Sequence, residues 1–267
     1  MHFVTQPSAF NVDRDIAAAR QPRLLGEFSL GSYRSRLAVC DEERQAIYRL
    51  RFLVFNLELN EGLESGYDSG MDVDEFDHVC DHIYVEHVPT GAIIGTYRVQ
   101  TGNSAAEAIG YYSEREFHFA PYEPLRHELL ELGRACIHRD HRSFEVLSLL
   151  WKAVGAYATA SRSRYLIGCS SLTSQDPVTG WSVYHHLADY RAEPHLLTTA
   201  RNGFSLASSG VSIESRPPKL LRAYLSIGAR ICSTPALDRE FKTIDFLTLL
   251  DVESLSPSAR AHFFPQT

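Results

Sequence analysis

The sequence predicts a mixed α/β sheet folded as a single domain. Short runs rich in β-branched and aromatic residues, such as HIYVEHV and AIIGTYRVQ, alternate with longer stretches of helical spacing. Their order is strand, helix, two strands, helix, strand, helix, strand, helix, a further helix, then two strands. The 267 residues are 44% hydrophobic and 22% charged, an ordinary globular composition that allows one sizeable core.

The elements follow in order along the chain. Residues 1–28 read as an N-terminal arm, leaving 29–267 as the domain. Residues 33–40 (YRSRLAVC) alternate and predict a strand. Asp41 is placed to cap a helix running to about Leu57. Asp41, Glu42 and Glu43 suit its positive end, and Ile47, Leu50, Val54 and Leu57 recur at core spacing. Residues 58–74, rich in glycine and acid, predict a loop. Residues 82–88 and 92–100 predict a hairpin turned by Pro89-Thr90-Gly91. Residues 105–118 predict a helix and 128–137 a strand. Residues 144–160 predict a long buried helix: Phe144, Leu147, Trp151, Val154 and Ala158 line one face, and Val146, Leu150, Ala153 and Tyr157 a second. A strand over 164–169 and a helix over 177–189 follow. Residues 195–216 carry no readable pattern, leaving a lid or a surface insertion as readings. Pro217-Pro218 opens a helix that ends near Gly228, and 229–232 and 244–250 predict the last strands.

Composition narrows the function. No apolar run is long enough to span a membrane, and the first residues lack the basic-then-apolar order of a secretory signal. The five cysteines (Cys40, Cys80, Cys136, Cys169, Cys232) are scattered, odd in number and never spaced as C-x-x-C. They read as reduced thiols of a cytoplasmic protein, not a disulfide frame or a metal site. A formal net charge of −7 argues against a nucleic-acid binder. The charge is uneven. From Phe52 to Tyr97 there is no Lys or Arg, while acid recurs from Glu58 through Asp72, Asp74 and Asp77 to Glu86. Residues 134–164 reverse the balance, with Arg134, Arg139, Arg142, Lys152, Arg162 and Arg164. Solvated faces are the ordinary reading of any one such charge. Together they suggest one seat for a cation and one for an anion.

The anion seat is the segment HRDHRS, 138–143, between a strand and the long helix. The first amides of a helix lack internal partners, and the helix dipole adds roughly half a positive charge there. Arg139 and Arg142 add formal charge. Neither a Walker loop nor a dinucleotide fingerprint is present. The position suits the phosphate of a ligand.

The blocks YRLRFLVF (48–55), DEFDHVCDHIYV (74–85), GAIIGTYRVQ (91–100), ELGRACIHRDHR (131–142), LLWKAVGAY (149–157), IGCSSL (167–172), QDP (175–177), RPPKLLRAYLSIGA (216–229) and PALDREFKTIDFL (235–247) occur in that order. On these blocks the chain resembles the GNAT-fold N-acyltransferases. Within them it is similar to the ornithine N-acyltransferases (hemolysin-like lyso-ornithine-lipid synthases), the N-acyl amino acid synthases and the acyl-homoserine lactone synthases. The resemblance implies a mostly antiparallel sheet whose central strands splay, with helices on both faces. It implies a pantetheine arm threaded through the gap, with Ile137, Arg139, His141, Arg142 and Ser143 at its phosphate. HRDHR departs from the glycine-rich loop of acetyl-coenzyme A enzymes, which suits the single phosphate of acyl carrier protein better than coenzyme A. The donor is therefore a thioester co-substrate, with no permanently bound cofactor and no metal. The implied acceptor is an amino acid, ornithine first.

Amide formation from a thioester needs an uncharged amine, a polarised carbonyl and a thiolate that leaves. Glu131 is the candidate base and Arg134 its companion, since the matching Glu and Arg belong to the active site in the lactone-synthase relatives. A regular strand puts the two on opposite faces; a bulge changes that. A purely structural Glu–Arg pair is the competing reading. Asp74 and Asp77 match acidic positions on the acceptor side of the relatives, with a turn or cap at the end of the acidic loop as the competing reading; Arg49, Arg51 and Arg98 match basic family positions that hold an acceptor carboxylate or brace the acidic loop, and Arg49 and Arg98 are the preferred pair. Arg139, Arg142, Lys152, Arg162 and Arg164 are candidates for docking an acidic carrier protein, and peripheral membrane contact is compatible with a lipid product. Cys136 and Cys169 read as inert thiols. His185 and Asp189 form a chance H-x-x-x-D, and no G-x-S-x-G serine elbow occurs. The alternatives are a signal synthase making an acyl-homoserine lactone or another N-acyl amino acid, and a catalytically silent sensor of acyl carrier protein or lipid.

Overall fold

The structure, a computed structural model, describes residues 26–211 and 215–264. The expected arm of residues 1–28 thus lies outside the described residues except at its end. The centre is a nine-stranded sheet in the order β1 (Phe28–Leu30), β2 (Tyr33–Leu37), β3 (Asp81–His87), β4 (Ala92–Thr101), β5 (Leu129–Ile137), β6 (Tyr165–Leu172), β9 (Thr243–Asp251) and β7 (Arg230–Ile231), with β8 (Ala236–Asp238) also on β9. Every pairing is antiparallel except β5 with β6. The seven α-helices among the described residues are α1 (Asp41–Arg51), α2 (Gly66–Ser69), α3 (Gly102–Glu107), α4 (Phe144–Ser161), α5 (Pro177–His186), α6 (Lys219–Ser226) and α7 (Pro257–Phe263). None is long and apolar enough to cross a membrane.

The helices divide between the two faces because strand side chains alternate. On one face α4 packs Val146, Leu149, Leu150 and Val154 against Ile83, Val85, Val99, Leu130 and Leu166. Each such buried aliphatic side chain contributes roughly 1.5–3 kcal/mol. Helix α7 lies directly on α4: a Cβ at Gly155 would stand 1.9 Å from the Phe263 carbonyl oxygen. On the opposite face α1 sets Ile47 and Tyr48 against Ala38 and Tyr84.

Several expected boundaries move. Cys40, not Asp41, is the N-cap of α1, and Asp41 is its first residue. The helix does not run unbroken to Leu57: Phe52–Glu58 is a π-helix, its wide turn closed by Leu59 N–H donating to the Val54 carbonyl at 3.0 Å. The helix expected over 105–118 shrinks to α3 and a single 3₁₀ turn (Ser113–Arg115), because Gly110 takes φ 84°, a left-handed value that ends helical winding. The acidic loop of residues 58–74 contains α2. Strands β1 and β8 and helix α7 were not foreseen. Of the unreadable residues 195–216, the described part does not stand out as a bare insertion. Leu196, Ala200 and Phe204 pack on the core, and Leu206 joins the cluster of α5 and α6.

Candidate active site at the fork of the sheet

Strands β5 and β6 pair only at Leu129↔Tyr165, Leu130↔Leu166 and Glu131↔Ile167, although they continue to Ile137 and Leu172. Each keeps its outer neighbour: β4 follows β5 to Ile137, and β9 follows β6 to Leu172. The sheet therefore forks just past Glu131. The crotch needs glycine, for a Cβ at Gly168 would stand 2.2 Å from the Leu132 carbonyl oxygen.

A cavity of about 270 Å³ fills the fork. On the α4 side its walls are apolar: Tyr97, Val99, Trp151, Leu166, Leu221, Tyr224 and Leu250. Across the sheet they are polar: Arg98, Gln100, Tyr112, Glu131, Arg134, Asp238 and Asp245. A β-bulge sets part of this wall. Thr96 pairs with Cys136 and Arg98 with Gly133, so Arg134 and Ala135 together face Tyr97. Arg134 sits there at φ 49°, at a cost of roughly 1–3 kcal/mol for a side-chain-bearing residue.

The bulge sends Arg134 to Asp74, Nη2 to Oδ2 at 2.6 Å, and no bond joins it to Glu131. Its guanidinium lies between the rings of Tyr112 (4.8 Å) and Phe241 (4.1 Å). Arg98 donates to Asp74 at 2.5 Å and Asp77 at 3.1 Å. Arg51 donates from Nε to Asp72 at 2.7 Å and from Nη1 to Asp77 at 2.7 Å. Three arginines and three aspartates are thus buried in balance. Burial alone would raise the Asp77 carboxyl, but Arg51 and Arg98 outweigh it and hold it far below the carboxylate range. Asp74 and Asp77 also form the capping box of the 3₁₀ turn Glu75–His78. His82, buried beside them, is pushed down to about 4 by burial and stays neutral.

This arrangement corrects two expectations. Arg49 does not join Arg98: it is exposed and bonds Gln45 at 3.1 Å. Arg51 takes the place expected of Arg49, because it lies four residues after the buried Ile47 and so shares its helical face. Asp74 and Asp77, placed by the resemblance on the acceptor side, are saturated by arginine and cap the turn, as the competing reading had it. They hold Arg98 and Arg134 at the cavity wall.

Glu131 occupies the crotch, 5% exposed, and accepts from the Tyr112 amide at 2.9 Å and the Ser113 amide at 2.8 Å. Burial raises its carboxyl above the ordinary range, with these Ser113 and Tyr112 bonds opposing. That is the direction a base near neutral pH requires. Gln100, opposite Glu131 in the β4–β5 register, is 2% exposed, and neither of its amide atoms has a partner.

Sequence reasoning missed the far polar wall. Asp238, Asp245 and Glu116 lie together, 1–3% exposed, and among the described residues none forms an ion pair with Lys or Arg. Burial and then the neighbouring Asp238 push Asp245 up to about 6; burial and then Asp245 push Glu116 well above its usual value. Cys169 lies against Glu116, Sγ to Oε1 at 3.7 Å, its thiol held protonated by burial and then by that carboxylate. It lines the cavity without being a nucleophile. Burial pushes the Cys136 thiol up to about 12.

The expected phosphate loop lies at the outer end of β5. None of residues 137–143 lines the main cavity. His138 and Arg139 border a smaller cleft of about 140 Å³ with Leu53, Leu57 and Glu58. Ser143 caps α4 by accepting from the Val146 amide at 3.3 Å. Arg139 is open to solvent, but two expected phosphate ligands are otherwise engaged. Arg142 is clamped by both oxygens of Glu58 (2.7 and 2.8 Å), and His141 meets the Tyr33 hydroxyl at 3.1 Å. Nor do the expected docking residues form one patch. The 18 residues of α4 span roughly 27 Å, and Arg162 and Arg164 stand at its far end, with Arg164 paired to Asp251.

Comparison with known proteins adds three findings. A family model described as an acetyltransferase (GNAT) domain matches residues 50–152. An L-ornithine N(alpha)-acyltransferase of Brucella abortus is 33% identical over 248 residues, covering 85% of this chain and 87% of that protein. One of Rhodobacter capsulatus is 29% identical over 246 residues, covering 87% and 95%. One of Agrobacterium fabrum is 30% identical over 246 residues, covering 85% and 83%. Among solved structures, the AHL synthase LasI has a TM-score of 0.51 at 10% identity, covering 88% of this chain and 96% of its own. FeeM, an N-acyl amino acid synthase from uncultured soil microbes, has 0.50 at 14%, covering 85% and 97%. These two likenesses show the fold: a GNAT-like, mostly antiparallel sheet with splayed central strands.

Proposed function

The chain belongs to the L-ornithine Nα-acyltransferase family, and on that premise we propose that it moves a long-chain acyl group, 3-hydroxylated or plain, from the phosphopantetheine thioester of acyl carrier protein to the α-amine of ornithine. The observation that carries the reading is the fork, apolar on one side of the sheet and polar on the other. An acyl thioester enters from the α4 side, and the amino acid meets it from the polar side.

In this reading the roles follow from placement. The α-ammonium, with a pKa of about 8, must lose a proton before it attacks. Glu131 takes that proton through water. The amine nitrogen then bonds the thioester carbon, and the C–S bond breaks as the thiolate leaves and is protonated. The bulge takes Arg134 and Ala135 out of the regular register at the cavity wall, where a backbone amide would meet the carbonyl oxygen as it gains charge. Arg98 and Arg134, fixed by Asp74 and Asp77, receive the acceptor carboxylate. Arg139, with Leu53 and Leu57 beside it, meets the carrier protein at the outer cleft.

The test mixes purified protein, acyl carrier protein charged with a 3-hydroxyacyl chain, and a panel of amino acids, read by mass spectrometry. Amide is expected with ornithine. Glu131→Gln is expected to lower kcat by roughly 10²–10⁴-fold with acyl-donor binding kept. Absence of amide with every amino acid would move the reading to a sensor of acyl carrier protein.

A further inference from the structure

The second cluster of acid at the fork meets no Lys or Arg among the described residues. Asp238 and Asp245 line the cavity and Glu116 lies behind Cys169. Asp238 is partly satisfied: it accepts from the Glu240 and Phe241 amides at 2.8 and 3.0 Å, and from the Tyr112 hydroxyl at 3.3 Å. Asp245 is in reach of Ser171, Thr243 and Glu116, so the two carboxyls lean on each other and on hydroxyls, and neither meets a Lys or Arg among the described residues. A buried carboxylate without a counter-charge is among the least favourable groups a fold can hold. Arg134, the cation nearest the cluster, is committed to Asp74.

Two further observations point to a ligand. Gln100, outside the acidic cluster, lines the same cavity with both amide atoms buried and unpartnered. Thr243, 2% exposed, lines it too, with its hydroxyl turned toward Asp245. A single residue also spans the distance to the proposed base. Tyr112 donates its amide to Glu131 and its hydroxyl to Asp238. The interval between base and acidic corner is therefore about the reach of one extended side chain.

We propose that Asp238, Asp245 and Glu116 form the seat of the acceptor's distal ammonium, so that the enzyme selects a short diamino acid by its far end while Glu131 addresses the near amine. The inference rests on the N-acyltransferase reading above and deepens it. Burial disfavours the charged form of Asp245 and Glu116, and an arriving ammonium favours it. Neutral amino acids of the same length leave the carboxyls without their counter-charge.

The experiment compares ornithine with norvaline, which has the same carbon chain and no distal amine. The wild-type protein is expected to favour ornithine in kcat/KM on the order of a thousandfold. Glu116→Gln and Asp245→Asn, made separately, are each expected to shrink that ratio by about tenfold or more, through KM for ornithine rather than kcat. A ratio unchanged in both variants, or a wild-type enzyme that takes norvaline as readily as ornithine, overturns the seat while leaving the transferase reading intact. Calorimetry without any donor separates the two ideas from the other side. Ornithine binding that exceeds norvaline binding and is lost in the variants supports the seat even if no amide forms; equal binding of both overturns it. A stoichiometric divalent metal on the purified protein, lost in Asp245→Asn, would also overturn it. Glu116→Gln keeps the shape of the side chain and its contact with Cys169, and a thermal melt of each variant matching the wild type shows that folding does not decide the outcome.

Discussion

Two clusters of buried charge flank one cavity, and they are built on opposite terms. In the first, Arg51, Arg98 and Arg134 meet Asp72, Asp74 and Asp77 in equal number. In the second, Asp238, Asp245 and Glu116 meet no cation. The first is finished by the fold alone. The second is left incomplete, which is tolerable only where something else completes it. Burial by itself therefore does not mark where a cation is wanted; the charge balance of the buried group does.

The comparison breaks most visibly at Arg51. Arg51→Met leaves Asp72 and Asp77 buried without their shared partner, and a loss of about 3–5 kcal/mol is expected in urea unfolding. A loss under about 1 kcal/mol would mean that the balanced cluster is not structural. The next effect has the opposite sign. Asp245 is held above its unfolded value, so it binds its proton more tightly when folded. Wild-type stability should then decline as pH rises from about 4 through about 6. Asp245→Asn is expected to remove that decline and to stabilise the empty protein at pH 7 by on the order of 1–2 kcal/mol. The depressed Asp77 works the other way, its contribution present above about pH 4 and lost as pH falls below it. Thermal melts of both proteins across pH 3–8 read the two signs together; parallel curves would erase the distinction between the clusters. The smallest effect lies outside both. Arg139→Glu is expected to lower kcat/KM a few-fold with acyl carrier protein and not with a short acyl-pantetheine. Equal loss with both donors would refute docking there.

The balanced cluster was half legible. Asp74, Asp77, Arg98 and Arg134 were named because they match positions of the family that the chain resembles; Arg49 was preferred to Arg51, although Arg51 lies four residues after Ile47 and shares its buried face. The acidic corner was not legible as a corner. Glu116 follows a helix that Gly110 cuts short, Asp238 lies on a three-residue strand too brief to show a period, and only the pairing of β8 and β6 with β9 brings the pieces together. One signal was available: Asp245 is the lone acid inside the apolar run TIDFLTLL. The fork was legible only through the resemblance, which implies splayed central strands; the strand, basic turn and long helix by themselves suggested no more than a phosphate seat. The engagement of Arg142 with Glu58 was not legible, since it depends on where a distant wide turn sets its last residue.

That turn, Phe52–Glu58, has its own consequence for how the chain tolerates change. A wide turn takes up one residue more than an ordinary turn while leaving the winding on either side nearly in phase. Deleting one residue would let the segment close to ordinary winding, and the chain beyond would keep its direction, but within the turn each side chain past the deletion would take its neighbour's place. Asn56 would then leave the Leu63 carbonyl that it reaches at 2.8 Å. What the wide turn fixes is which side chain faces inward, so a deletion there should act as a shift of several side chains at once.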